Sequence, residues 1–303
     1  MTLAKTLAFI RLTRPFFLLG GVLLYVLGAA AALVGGMPFH LAFFLLGQLL
    51  VTAVQLMVHY ANEYYDLEVD RAATNRTWFS GGSGVLAAGA LKPLTALRAA
   101  QVCLGTALSI LIVVLALDRS PGVAALVGLA VLAGWFYSAP PVRLVSLGLG
   151  EAAASLIVAL SVPLTGFLLQ TGGSAIPASL LRLCLPLSLI HMSMLLAFEF
   201  PDQEADASFG KRTLTVRLGP VRAAWLHHAL LFLAFGFFVA FVFSGSLSRG
   251  IDLVFLAIPL AVWQAFRLRW QLRHPEASYR WFTMGAVGLF ALSACLTLIA
   301  IIN

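Results

Sequence analysis

The stretch His59-Tyr-Ala-Asn62-Glu63-Tyr-Tyr-Asp66-Leu-Glu68-Val-Asp70 closes a long apolar run and places one amide and four carboxylates within nine residues. Side chains four apart share a helix face, so Asn62, Asp66 and Asp70 lie along one edge. Gln48, Thr52, Gln55 and His59 extend that edge backwards as a polar stripe in an apolar helix. Polar groups inside a membrane segment are costly and turn toward a protein interior or cavity. Two carboxylates and an amide at the mouth of such a cavity make a hard, oxygen-only donor set. That set suits Mg²⁺, which keeps several waters and binds one or two carboxylates together with substrate phosphate oxygens.

The whole chain fits a membrane setting. Its 303 residues are 61% hydrophobic and only 10% charged, which excludes a soluble domain. Nine apolar runs, at 14–36, 39–63, 94–117, 121–139, 149–171, 178–200, 222–245, 251–270 and 279–302, approach the roughly 20 residues a helix needs to cross hydrocarbon. The runs are continuous, whereas barrel strands alternate apolar and polar. The expectation is an all-α integral membrane protein: nine transmembrane helices bundled around a central cavity that opens to the cytoplasmic side, a single domain over 1–303. The first run is too long for a signal-peptide core and has no clear cleavage site, so it reads as a membrane helix.

Charge sets the orientation. With the N-terminus inside, sixteen Lys and Arg fall on one side and only Arg119, Arg182 and Arg249 on the other, so the first side is cytoplasmic and the C-terminus outside. The setting is a multi-pass protein of a prokaryotic inner or plasma membrane. Ten of the twelve acids share the cytoplasmic side, which the orientation rule does not require. No basic cluster reads as a nucleic-acid surface. Cys103, Cys184 and Cys295 sit singly in apolar runs and read as small hydrophobes. His227 and His228 read as interfacial.

Other segments supply partners for the acids. Arg14 precedes Pro15, a first-turn proline, at the cytoplasmic rim, where it serves as an anchor or binds an anion. Arg71 and Arg76 lead into the turn Ser80-Gly-Gly-Ser-Gly84, whose glycines allow backbone N–H groups to converge on an anion. Trp135 reads as an interfacial aromatic, Tyr137 and Arg143 as candidates for the cavity mouth, and Glu151 as an acid in the first turn of its helix. The sixth run ends in Glu199-Phe-Pro201-Asp202-Gln-Glu-Ala-Asp206, followed by Gly210-Lys211-Arg212. Asp202 and Asp206 repeat the spacing of Asp66 and Asp70, on the same membrane side.

Four aspartates and an asparagine at one mouth, ringed by Arg14, Arg71, Arg76, Lys211 and Arg143, suit divalent cations and a highly anionic group. Diphosphate is the natural candidate, because metal ions bridge its oxygens and stabilise charge on a leaving group. Apolar stripes below the mouth provide a slot for an isoprenoid tail, and Tyr60, Tyr64, Phe136, Tyr137 and Phe198 are candidates to face an allylic carbocation. The rival readings are a cation-coupled transporter, which would place its acids near the bilayer midplane on broken helices, and a non-catalytic lipid-binding protein.

Asn62-x-x-x-Asp66-x-x-x-Asp70, Asp202-x-x-x-Asp206 with its following Gly-Lys211, and nine membrane helices resemble the UbiA superfamily of intramembrane prenyltransferases over essentially the whole chain. The resemblance implies Mg²⁺-dependent ionisation of a polyprenyl diphosphate and attack on it by an aromatic acceptor within the bilayer. By analogy, Asn62, Asp66 and Asp70 hold one Mg²⁺-diphosphate cluster and Asp202 and Asp206 the other, while Arg14, Arg76 and Lys211 grip the diphosphate. The chain departs from the family's Tyr-x-x-x-Lys, having Pro141 four residues after Tyr137, with Arg143 nearby. It also has Asn-Glu63 where Asn-Asp is commoner. The loop Asn75-Arg-Thr-Trp-Phe-Ser-Gly-Gly-Ser-Gly-Val-Leu86 resembles the branch containing 1,4-dihydroxy-2-naphthoate polyprenyltransferases of menaquinone synthesis. 4-Hydroxybenzoate, homogentisate, haem, chlorophyllide and glycerol phosphate ethers are the alternative acceptors.

Overall fold

The computed structural model describes residues 3–117, 120–247 and 249–303, the Arg249 side chain excepted; Arg119 lies outside them. Among the described residues all regular structure is helical, and nine helices are long and apolar enough to cross a membrane. They are α1 Pro15–Val34, α2 Leu41–Tyr65, α3 Pro93–Ala116, α4 Pro121–Ser138, α5 Gly150–Thr171, α6 Ala178–Glu199, α7 Leu214–Phe243, α8 Gly250–Arg273 and α9 Arg280–Ile302. Each matches one of the nine apolar runs. Proline opens α1, α3 and α4, where its missing N–H has no helical partner to lose. Large side chains such as Ile112, Phe232 and Phe243 stand exposed on the outside of the bundle, as a lipid-facing surface requires.

The largest boundary difference is at α7. The sequence places its start at 222, after Gly219-Pro220, a pair that ordinarily ends or begins a helix. Gly219 does leave helical geometry, at φ 73°, but another helical turn from Leu214 precedes it. That extra turn is held by carboxylates from other helices: Glu151 Oε1 accepts the Leu214 N–H at 3.3 Å and Glu199 Oε2 the Thr215 N–H at 3.1 Å. His227, expected at the interface, is instead buried, its ring centroid 5.8 Å from that of Phe282 in α9.

Helix α6 is the most enclosed of the nine and packs on α5, α7 and α9. Helix α1 lies against α5 at backbone contact: a Cβ added to Gly28 would overlap the Pro163 carbonyl, and one at Gly166 the Tyr25 carbonyl. Small residues at a crossing allow that approach. Helix α5 also contains one wide π turn, Ile157–Ser161, just ahead of Pro163. Such turns re-aim the side chains around them, and Ile157, Val158 and Ser161 all face an internal cavity. That cavity, of about 640 Å³, runs between α1, α2, α4, α5, α6 and α9. Its walls are apolar along most of their length, and its acids and cations gather at one end.

Candidate active site

Helix α2 ends at Tyr65, and Asp66 makes the turn into a short helix, Leu67–Ala72. Helical bonding is barely interrupted there: the Asp66 N–H donates to the Asn62 carbonyl and the Asp70 N–H to the Asp66 carbonyl, both at 2.9 Å. The four-residue spacing therefore survives the change of element, and Asn62, Asp66 and Asp70 all line the cavity. The Asn62 amide donates to Asp66 Oδ2 at 2.8 Å and to Ser138 Oγ of α4 at 2.9 Å, which fixes both side chains.

The second motif closes from the other half of the chain. Lys211 Nζ donates to Asp66 Oδ2 at 2.8 Å and lies 3.5 Å from Asp206 Oδ1, so one part-buried ammonium bridges the two acidic motifs. Burial alone lowers the Lys211 pKa, but Asp66 and Asp206 outweigh it and hold the ammonium well above its ordinary value. Asp202 Oδ2 accepts the Gly81 N–H at 2.8 Å. The glycine turn also lies on Asp70, since a Cβ at Gly82, which has φ 69°, would overlap the Asp70 carboxylate. Both sets of acids thus hold the loop 79–84 between them.

Burial pushes the Asp70 carboxyl up to about 8, helped by Asp66 and Glu63 and opposed by Arg14 and Lys211. Burial and Asp206 push Asp202 up to about 7, and burial also raises Asp206. Arg14 stays firmly charged, because Glu63, Asp70 and Asp66 more than offset its burial. Carboxyls that hold protons this close to neutrality give them up when a cation arrives. One oxygen each of Asp66 and Asp202 is buried without a hydrogen-bond donor, and Asp206 Oδ1 faces the Lys211 ammonium at 3.5 Å. Oxygen donors left over at the head of the cavity fit Mg²⁺, which takes carboxylate, water and phosphate oxygens. Among the described residues no three His, Cys, Asp or Glu form a closed cage. A hydrated ion shared with a phosphate does not need one.

Not every expected residue reaches the cavity. Arg14, Tyr137 and Lys211 line it; Arg71, Arg76 and Arg143 do not. Arg71 is exposed and pairs with Glu68 at 2.6 Å. Arg76 turns behind the glycine loop and donates to the Asp70 carbonyl at 2.5 Å. Arg143 sits beyond Pro141 in a left-handed conformation, φ 49°. Among the aromatics, Phe198 and Tyr137 face the cavity, whereas Tyr60 packs on Phe9 in a separate cluster and Tyr64 on Tyr65. The aromatic wall is built by Phe17, Phe79 and Phe198: Phe79 and Phe198 stack at 5.8 Å, and Phe17 meets them edge-on at 5.6 and 5.8 Å.

Glu63 stands where an aspartate is commoner among the proteins the chain resembles. It is a buried strut. It accepts from Arg14 Nε at 2.8 Å and Nη2 at 2.5 Å, from the Ser83 N–H at 2.6 Å and from Ser83 Oγ at 2.8 Å. Glu199 also lines the cavity, and Glu151 stands behind it. A lone carboxylate in each of two apolar helices was the available signal.

Nine helices around a tail-shaped apolar cavity, headed by paired aspartate motifs, define a membrane enzyme that handles a charged head on an apolar chain. Residues 22–295 match the UbiA prenyltransferase family, and the chain belongs to that family; it is a prenyltransferase. One relative is a 1,4-dihydroxy-2-naphthoate octaprenyltransferase of Bacillus subtilis (strain 168), 27% identical over 255 residues, which are 83% of this chain and 79% of that protein. A UbiA homolog from Archaeoglobus fulgidus bound to GPP and Mg²⁺ shares the fold with a TM-score of 0.64 at 18% identity, over 97% of this chain and 99% of that one. A digeranylgeranylglyceryl phosphate synthase matches with a TM-score of 0.64 at 16% identity, over 98% of this chain and 99% of that one. Membership of a prenyltransferase family sets aside the transporter reading.

Proposed function

We propose that this enzyme transfers a polyprenyl group from polyprenyl diphosphate to 1,4-dihydroxy-2-naphthoate, with loss of the acceptor's carboxylate, in menaquinone biosynthesis. The observation that carries prenyl transfer is the group of buried aspartate oxygens at the head of an apolar cavity, those of Asp66 and Asp202 without a donor and that of Asp206 3.5 Å from the Lys211 ammonium. The naphthoate acceptor is supported by the Bacillus subtilis relative. The head of the cavity faces the cytoplasm, as the bias of Lys and Arg supports.

Asn62, Asp66 and Asp70 would hold one Mg²⁺ with the diphosphate, and Asp202 and Asp206 a second. Bound Mg²⁺ supplies positive charge to the diphosphate oxygens as the bond to carbon breaks. Lys211 and Arg14 add fixed positive charge at the same end, and the loop 79–84 covers it. The Phe17, Phe79 and Phe198 faces stand where they can stabilise an allylic cation. The apolar cavity below takes the tail and keeps water from the cation.

The test is turnover by purified protein in detergent with Mg²⁺, geranylgeranyl or longer diphosphate, and a panel of acceptors. A single, Mg²⁺-dependent, decarboxylated prenyl-naphthoate is expected. If dihydroxynaphthoate is left untouched while 4-hydroxybenzoate, homogentisate, a haem, chlorophyllide or a glycerol phosphate ether is consumed, the naphthoate assignment fails. Diphosphate binding without any product would favour a lipid-binding role.

A further inference from the structure

Helices α7 and α8 enclose a smaller cavity, of about 270 Å³, on the outside of the bundle. It lies at the end that holds the aspartates, since α7 begins at Leu214, just after Lys211, and α8 runs back to end at Arg273. One wall comes from α7, with Val221, Trp225 and His228, and the other from α8, with Arg269, Leu272 and Arg273. Residues four apart share a helix face, so Val221 and Trp225 form one ridge of this groove and Arg269 and Arg273 the other. His228 Nε2 donates to the Ala265 carbonyl at 3.2 Å and ties the two helices together beside the groove.

The two ridges differ in chemistry. The α7 ridge is apolar and open, with Val221 62% and Trp225 63% exposed. The α8 ridge is cationic. Among the described residues neither Arg269 nor Arg273 has a carboxylate partner. Their neighbour Arg267 is committed elsewhere: it donates to the Ser278 carbonyl at 3.3 Å and lies over the Trp270 ring, 4.1 Å from its centroid. Arg269 instead reaches across the groove to α7 and lies over Trp225, 5.7 Å from the ring centroid.

Arginines at the end of a membrane helix need no ligand if they only snorkel to water and set orientation. That reading explains their charge. It does not explain a cavity with two unpaired guanidiniums along one side and a tryptophan on the other. A guanidinium presents a planar fork of donors that matches phosphate oxygens, so the α8 ridge suits a phosphate group. A soluble phosphate would use only that half of the groove. A phospholipid uses both, with Trp225 at the headgroup level where indole rings settle. An apolar track continues below: Phe232, two turns along α7 from Trp225, and Val262, two turns back along α8 from Arg269, are both exposed.

We propose that this groove binds an anionic phospholipid, with the phosphate on Arg269 and Arg273, the glycerol beside Trp225 and the acyl chains along Phe232 and Val262. The groove shares no lining residue with the active-site cavity. The lipid site therefore stands or falls independently of the acceptor.

The test is native mass spectrometry of the whole protein, delipidated in detergent and titrated with phosphatidylglycerol or phosphatidylcholine. The wild type should retain one phosphatidylglycerol under conditions in which phosphatidylcholine is lost. An arginine near the membrane surface strengthens anionic-lipid binding by about fivefold. Arg269→Gln and Arg273→Gln should each weaken retention by that factor, and the double variant by about 30-fold. Lys92→Gln with Arg98→Gln removes two exposed cations at the start of α3, at the same end of the bundle, and should leave retention unchanged. Phosphatidylglycerol should raise the melting temperature of the wild type and not that of the groove double variant, whose lipid-free melt should match the wild type.

Equal retention of the two lipids by the wild type, or equal retention of phosphatidylglycerol by the wild type and the groove variants, refutes the proposal. So does a loss in the α3 variant as large as in the groove double variant, because general charge and not the groove would then hold the lipid. Inorganic phosphate in large excess should not displace the lipid. Displacement would assign the two arginines to a soluble anion and overturn the lipid site.

Discussion

Glu63 tests whether a buried carboxylate acts here through an arginine. Arg14 occupies a left-handed conformation, φ 51°, which costs a non-glycine residue about 1–2 kcal/mol. Two guanidinium bonds to Glu63, at 2.8 and 2.5 Å, hold it there. Glu63→Gln keeps an acceptor oxygen and removes its charge. A charge-assisted bond is about twice as strong as a neutral one, so two such bonds lose roughly 2–3 kcal/mol. If that loss is felt where Arg14 meets the diphosphate, kcat/KM for polyprenyl diphosphate falls by about 30- to 150-fold.

The decisive comparison is the double variant with Arg14→Gln. If Glu63 works by positioning Arg14, the double variant should be no slower than Arg14→Gln alone, and the cycle should return a coupling close to the whole Glu63→Gln loss. Rates would be measured at saturating Mg²⁺, with thermal melts confirming that each variant is folded. Losses that add to within about 0.5 kcal/mol would mean independent action, and the strut would be refuted.

Other perturbations follow from the same geometry. Asp66→Ala and Asp202→Ala should each abolish turnover while the protein stays folded; a near-normal rate in either breaks the two-cluster arrangement. Gly82→Ala places a Cβ against the Asp70 carboxylate at φ 69°, so the Mg²⁺ concentration for half-maximal rate should rise about tenfold, and an unchanged value would mean that the loop does not bear on Asp70. Asp70 and Asp202 are raised from 3.8 to about 8 and about 7, so the folded state binds their protons more tightly than the unfolded one. Their contribution favours folding at low pH and is lost as pH rises from about 4 to about 8. Without Mg²⁺ the melting temperature should therefore fall between pH 6 and pH 8.5, and added Mg²⁺ should reverse the fall. A flat profile would contradict the raised carboxyls.

The helices were legible because each apolar run is long and uninterrupted, and the aspartates because they recur every four residues at helix ends. The arginines were less so. Arg71 and Arg76 flank a loop whose path the spacing does not fix, and only the fold shows that one turns to Glu68 and the other to a backbone carbonyl. Tyr60 and Tyr64 could have been set aside from the pattern alone, since neither shares the helix face of His59, Asn62 and Asp66. Glu151 and Glu199 could not have been paired, because their meeting depends on how α5, α6 and α7 pack. Nor could Glu63 have been assigned to Arg14, its partner 49 residues earlier in the chain.

The way the glycine loop is held also bears on biogenesis. Gly81 is tied to Asp202, 121 residues later in the chain, and Asp66 to Lys211, 145 residues later. At synthesis rates of about 5–20 residues per second, the N-terminal half must wait roughly 6–30 s in the membrane before these partners emerge. During that interval the acids of the first motif have neither the loop contact from Asp202 nor the ammonium of Lys211. The first half is thus made as an incomplete insertion intermediate in which Asp66 lacks the Lys211 ammonium at one membrane face. Ribosome-bound chains ending between Asp70 and Lys211 are where an insertase or chaperone would be found holding it.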